Sequence, residues 1–231
     1  MIDDSIHPKR TRTLITEDLL LVLFQPDSGT IAGENTLFYV LAGGVLTDLA
    51  RQGGAEIRDA GIRGTLISAA GDPPEDELLR PMWDYVLQKP RGVQGVLAAS
   101  GPTLRGPVIE RLIERGDLRR EKRRVFGFFP STALVEGGSG RRDELIAAMR
   151  AVLVEGEEPT ERSAPLTALV SASGALPVLH REIPWSGATA TRAKSLEQGD
   201  WTAGAAAAAV TRTMIAVVAN SLITSAVAAN R

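Results

Sequence analysis

Residues 37–51 read LFYVLAGGVLTDLAR, and almost every position in the run is apolar. A helix that is apolar on all sides has no face to give to water, so it belongs in the middle of a protein. The adjacent Gly43 and Gly44 mark where another helix crosses it closely. One central helix of this kind predicts a mainly α fold, and the flanking segments agree. Upstream, 13–24 reads TLITEDLLLVLF. Thr16 is the expected N-cap, Glu17 and Asp18 fall in the first turn where the helix dipole favours anions, and the turn residues Pro26-Asp27-Ser28-Gly29 stop the run.

Downstream, glycines 53 and 54 end the central helix. AEIRDAGIRGTLI (55–67) then spells a short β-hairpin. Asp72-Pro73-Pro74-Glu75 predicts a helix start, with an apolar face of Leu78, Leu79, Met82 and Val86. Pro107 opens a helix that ends at Arg115, with Gly116 as its C′ glycine. GGSGRRDE (137–144) is expected to be a flexible loop into a helix over 143–154, and EGEEPTERSAP (155–165) a solvated linker. Helices over 165–181 and 204–229 flank the loop IPWSG and the short basic helix ATRAKSLEQ. Residues 1–12 are expected to be a disordered tail, and 13–231 a single domain.

The chain has 231 residues, 44% of them hydrophobic, with no cysteine and two histidines. That excludes a disulfide framework and thiolate-bound zinc, and suits a reducing, cytoplasmic setting. The stretch 203–229 is apolar but rich in alanine, contains Arg212, and reads as a buried helix rather than a span. No G-x-S-x-G elbow, Walker loop, H-E-x-x-H or dinucleotide fingerprint is present. GGSGRR could cradle a phosphate at a helix N-terminus, though such runs are more often linkers. His180, flanked by apolar residues, reads as structural. No catalytic residue, metal site or cofactor is expected, and the chain is not expected to be an enzyme.

The net charge of -2 hides an asymmetry. Residues 116–130 read GDLRREKRRVFGFFP. Removing 119–124 takes away Arg119, Arg120, Lys122, Arg123, Arg124 and one anion, leaving 21 cations against 27 anions elsewhere, a balance of -6. Two strands, 118–120 and 125–129, are expected around a charged tip. Strand alternation sends Phe126 and Phe128 to one face, and Val125 and Phe129 to the other. Cations along a strand edge also deter aggregation, and the aromatics could equally be core. For binding, five cations near an anionic leaflet are worth at most about 5 kcal/mol, which is weak. One or two phenylalanines entering the interface add roughly 1.5–3 kcal/mol each and bring binding toward micromolar.

Taken in order, TLITEDLLLVLF, LAGGVLTDLARQGG, RLIERGDLRREKRRVFGFF and TRAKSLEQGDW before an alanine-rich helix resemble the Golgi phosphoprotein 3 family. The likeness runs from about residue 13 to the C-terminus, and the alanine, glycine and arginine usage is similar to that of a bacterial, actinobacterial member. The resemblance implies a central helical bundle surrounded by amphipathic helices, with a protruding β-hairpin. It also implies phosphatidylinositol 4-phosphate binding, peripheral membrane association, hairpin-mediated self-association and protein clients such as glycosyltransferases. The family's headgroup site uses a tryptophan and an arginine around the second helix, plus two arginines before the hairpin. Those positions fall on Gly33, Ala42, Pro102 and Arg105, so Arg105 alone is carried over. Anionic phospholipid headgroups are therefore the expected partner, met by Arg105, Arg119, Arg120, Lys122, Arg123 and Arg124, with Phe126, Phe128 and Phe129 for membrane contact or homo-oligomer formation. Trp185 and Trp201 could stand in for the missing tryptophan at an interface.

Two other readings exist. Helix, glycine and basic hairpin also spell a winged helix for nucleic acid. Arg111 and Arg115 are offset by Glu110 and Glu114 on the helix before the hairpin, so nucleic acid is not expected. The hairpin could also serve purely as a protein-association module.

Overall fold

The computed structural model describes residues 13–60, 64–125, 129–199 and 215–222. At its centre is α1 (Ile15–Leu23), every residue of which is buried. Helix α2 (Leu37–Arg51) crosses it, and a Cβ added at Gly44 would lie 2.8 Å from Thr16 Cα. On the neighbouring face of α2, a Cβ at Gly43 would lie 2.7 Å from Val218 Cγ1, so the helical segment 215–222 uses the other glycine. The close crossing expected at Gly43-Gly44 is present, and the other glycine of the pair serves a further one. The connection between α1 and α2 carries a minimal antiparallel pair, β1 (Phe24–Gln25) and β2 (Thr30–Ile31).

Helix α1 begins two residues earlier than a Thr16 cap implies, with Leu14 as its N-cap. Thr16 is not the cap; its hydroxyl donates to Leu41 O at 3.0 Å. The first N–H groups are satisfied by acids instead. Leu14 N–H donates to Glu17 Oε2 at 2.9 Å, and Ile15 and Thr16 N–H donate to the two carboxylate oxygens of Asp48 at 3.0 and 3.2 Å. An aspartate from α2 thus caps α1 across the crossing, a tertiary version of N-capping.

The expected hairpin forms from β3 (Ala55–Asp59) and β4 (Thr65–Ala69), and β5 (Arg91–Gly92) adds an unexpected third strand to β4. The Pro-Pro helix start does not form, and α3 covers Arg80–Leu87 with Pro81 in its first turn. Proline disfavours the α region for the residue before it, and Pro73-Pro74 stays outside any helix. The expected apolar face is nevertheless buried at Leu78, Leu79, Met82 and Val86. Then follow α4 (Val93–Ser100), a 3-10 turn over Gly101–Thr103, and α5 (Arg105–Glu114), with Gly116 left-handed at φ +78° after it.

A long hairpin, β6 (Leu118–Val125) and β7 (Phe129–Glu136), leads into α6 (Arg141–Arg150) and a π-helical turn over Ala151–Glu155. Helix α7 (Ser163–Ala172) is almost wholly buried and stops well short of residue 181, because Gly174 turns left-handed at φ +76°. A 3-10 turn (Leu176–Leu179) and α8 (Gly187–Glu197) follow, and Ser186 caps α8 by accepting from Thr189 N–H at 3.1 Å. The fold is mainly α with short antiparallel hairpins. The expected tail over 1–12 lies outside the described residues, as do the ends of the helix expected over 204–229.

Candidate functional site

The β6–β7 hairpin pairs Leu118 with Glu136 at its root and Val125 with Phe129 near its tip. Among the described residues neither strand has a second neighbour, so the pair forms a two-stranded ribbon. Seven residue steps at about 3.3 Å make it roughly 23 Å long. This differs from the sequence reading. The cations line the first strand rather than a tip, and the partner strand is 129–136, not 125–129. Pairing decides it: Arg119, Arg120, Lys122, Arg123 and Arg124 face Val135, Leu134, Thr132, Ser131 and Pro130 in register. Phe126 and Phe128 lie outside the described residues, and Phe129 opens β7.

The root of the ribbon is fixed tightly. Leu118 is buried, and a Cβ added at Gly137 would lie 2.0 Å from Gly116 O, so only glycine fits there. Asp117, also buried, accepts from Ser139 Oγ and from Arg141, both at 2.8 Å. Arg141 also pairs with Asp18 on α1, and Arg162 reaches the same carboxylate at 2.5 Å. The GGSGRR stretch is therefore structured, and the guanidinium of Arg141 is committed to two acids. Next to it, buried Arg142 donates to Phe24 O at 3.0 Å and to Glu182 at 2.6 Å. On α5, Arg115 grips Glu17 with both terminal nitrogens at 3.0 and 3.1 Å, and Arg111 grips Asp76 at 2.7 and 2.8 Å. The cations of α5 are thus offset by Glu17 and Asp76 instead of the adjacent glutamates.

Buried acids feel this environment. Burial pushes the Asp48 carboxyl up to about 7, against two backbone N–H groups and Arg51 that favour its charged form. Burial also raises Asp18, opposed by Arg141 and Arg162. This lattice was not legible from spacing, since its partners are contributed by α1, α2, α5, α6 and α7 together.

Among the described side chains of β6, Arg119 and Arg120 have acids as partners. Arg119 pairs with Glu121 at 3.1 Å, and Arg120 holds Glu110 of α5 with both terminal nitrogens, keeping that carboxyl below its usual range. Lys122 is exposed. Arg105 is the first residue of α5, and its guanidinium lies 3.1 Å from Glu34, both side chains half exposed. Glu34 adjoins Gly33, so the chain does bring Gly33 and Arg105 to one surface. Ala42 is fully buried within α2 and offers nothing to a ligand. Among the described residues, no helix is long and apolar enough to cross a membrane, and no acid or histidine cluster forms a metal site.

Comparison with curated proteins finds no match. A family model described as Golgi phosphoprotein 3 (GPP34) matches residues 15–213, spanning α1 through α8, the hairpin and its root. The chain belongs to the Golgi phosphoprotein 3 family.

Proposed function

We propose that this protein is a peripheral membrane protein that binds anionic phospholipid surfaces through the β6–β7 hairpin, with Arg105 as a flanking headgroup contact. One observation carries the reading. A two-stranded ribbon, paired with no other strand among the described residues and marginal by itself in water, is anchored by a buried ionic root and bears its cations on one strand, just ahead of Phe126 and Phe128 in the sequence. Rooting of this kind reduces the ordering cost of binding.

The magnitudes fit a weak, reversible contact. Arg119 and Arg120 are partly satisfied by Glu121 and Glu110. Lys122, Arg123 and Arg124 contribute about 3 kcal/mol at about 1 kcal/mol per cation. One or two phenylalanines at the interface add roughly 1.5–3 kcal/mol each, for dissociation constants between about millimolar and micromolar. Charge-driven recognition of anionic lipid is favoured over specific reading of a 4-phosphate. Only one of the family's four headgroup positions is retained, and Glu34 beside Arg105 opposes a multiply charged phosphate.

Flotation with phosphatidylcholine vesicles, with and without phosphatidylglycerol, tests the reading. Binding is expected only with the anionic lipid, and is lost when Arg119, Arg120, Lys122, Arg123 and Arg124 are all changed to serine. Equal partitioning of the two proteins overturns it. A matched-charge arm containing phosphatidylinositol 4-phosphate is expected to bind no better than phosphatidylglycerol.

A further inference from the structure

Four large apolar side chains stand exposed among the described residues, and two of them, Val178 (47%) and Trp185 (46%), share the loop 174–186. We propose that this loop is a second lipid contact, in which Trp185 and Val178 enter the membrane interface beside Arg181. The inference rests on the peripheral-membrane reading above and extends it to a surface other than the hairpin.

The exposure is not a failure of packing. Leu176, Leu179 and Ile183 already anchor the loop to the core. Its backbone is closed by Glu182 N–H and Ile183 N–H donating to Leu179 O at 2.9 and 2.8 Å. Glu182 turns inward to Arg142, and Ser186 caps α8. Trp185 is thus held outward between two fixed points. An isolated exposed apolar residue needs no explanation, but two on one anchored loop with a cation between them form a pattern. Tryptophan has an apolar body and a polar N–H, which suits a membrane–water boundary.

The charges on the loop point the same way. The acid of this loop, Glu182, is spent on Arg142, which leaves His180 and Arg181 on the outside. Arg181 is 77% exposed and its partner Asp27 is 89% exposed, at 3.3 Å. A solvated pair of this kind is weak enough for a phosphate to replace the aspartate.

Placement supplies the link to the hairpin. Asp27 belongs to the turn between β1 and β2, and in that turn a Cβ at Gly29 would lie 2.9 Å from Leu134 O on β7. The turn therefore touches the loop through Asp27 and the hairpin through Gly29, so both flank one side of the body. A folded protein partner is a poorer occupant. A specific protein interface needs about 800 Å² per partner, more than two half-exposed side chains supply, whereas a fluid bilayer accepts small separate insertions.

The difference in emission between the wild type and Trp185→Ser isolates this tryptophan from Trp83 and Trp201. On titration with phosphatidylcholine/phosphatidylglycerol vesicles it is expected to move to shorter wavelength and to be quenched by brominated acyl chains. Trp185→Ser is expected to raise the lipid concentration for half-binding about tenfold. Val178→Ser, which leaves every tryptophan in place, is expected to reduce both binding and the brominated-lipid quenching. If the protein floats with the vesicles while the difference emission neither shifts nor is quenched, this contact is wrong and the hairpin reading stands. If the protein floats with no vesicle, both fall.

Discussion

Replacing Arg141 with alanine removes the guanidinium that joins two buried carboxylates, Asp18 on α1 and Asp117 at the hairpin root. Removing one partner of a buried ion pair costs about 3–5 kcal/mol, because a desolvated charge is left behind. Here each acid keeps a remaining partner, Arg162 for Asp18 at 2.5 Å and Ser139 for Asp117 at 2.8 Å. The cost is therefore expected at the lower end, about 3 kcal/mol. For a chain of this length that corresponds to a melting temperature lower by roughly 6–12 °C. The loss should also depend on pH. Burial already raises the Asp18 pKa, and Arg141 is among the groups that lower it, so the variant raises it further. A raised acid pKa favours the folded state when the acid is protonated, so the deficit narrows as pH falls. Urea midpoints at pH 7.5 and 5.5, followed by far-UV circular dichroism, measure this. Asp117→Asn in the Arg141→Ala background should recover part of the loss. Arg120→Ala, which breaks an exposed pair, serves as the control and should change little. If Arg141→Ala costs no more than Arg120→Ala at neutral pH, the ionic root does not hold the hairpin as argued.

Asp48→Asn addresses the cap between α2 and α1. With a folded pKa of about 7 against 3.8, this acid stabilises the fold when protonated, and the contribution is lost as pH rises from about 4 through 7. Urea midpoints across that window should flatten in the variant, and an unchanged slope counts against a titrating Asp48. Gly44→Ala places a Cβ 2.8 Å from Thr16 Cα and should cost about 1–3 kcal/mol by thermal melting, whereas a neutral outcome would mean the α1–α2 crossing is looser than described. Glu34→Gln releases Arg105 and should strengthen flotation with anionic vesicles severalfold; no change would remove Arg105 from the lipid contact. Serine at Arg119 and Arg120 should weaken flotation less than serine at Lys122, Arg123 and Arg124, since the first two already hold acids. The reverse order would contradict the charge accounting.

The helices that could be read from sequence were those governed by local chemistry. Leu37–Arg51 is apolar throughout and lies where its composition places it, and Gly43-Gly44 meets two different helices. Gly116 ends α5 as a left-handed glycine should. What could not be read was tertiary. Glu17 and Asp18 look like first-turn acids at a solvent-facing helix start, but both are buried against arginines far along the chain, Arg115 for Glu17 and Arg141 and Arg162 for Asp18. GGSGRRDE looks like a linker because glycine and serine usually are, but Asp117 and Asp18 give Ser139 and Arg141 fixed partners. The second strand of the hairpin is illegible in the sequence for a related reason. STALVE carries no charge pattern of its own, and only pairing with the cationic strand identifies 129–136 as β7.

The buried acids also explain how a two-stranded ribbon is anchored. Two strands paired only with each other gain little from burial; Leu134 packs against the core and Arg120 holds Glu110, but the most buried attachments lie at the root. Asp117 connects that root to Arg141, Arg141 to Asp18 on α1, and Asp48 caps the same helix from α2. The hairpin is thus tied to the two innermost helices by directional, charge-assisted bonds rather than by apolar contact alone. An apolar root could slide, since packing fixes position less sharply than paired donors and acceptors do. On the proposed reading, that difference sets the function. A contact worth only a few kcal/mol can bind a membrane only if little of it is spent on ordering the group that makes the contact.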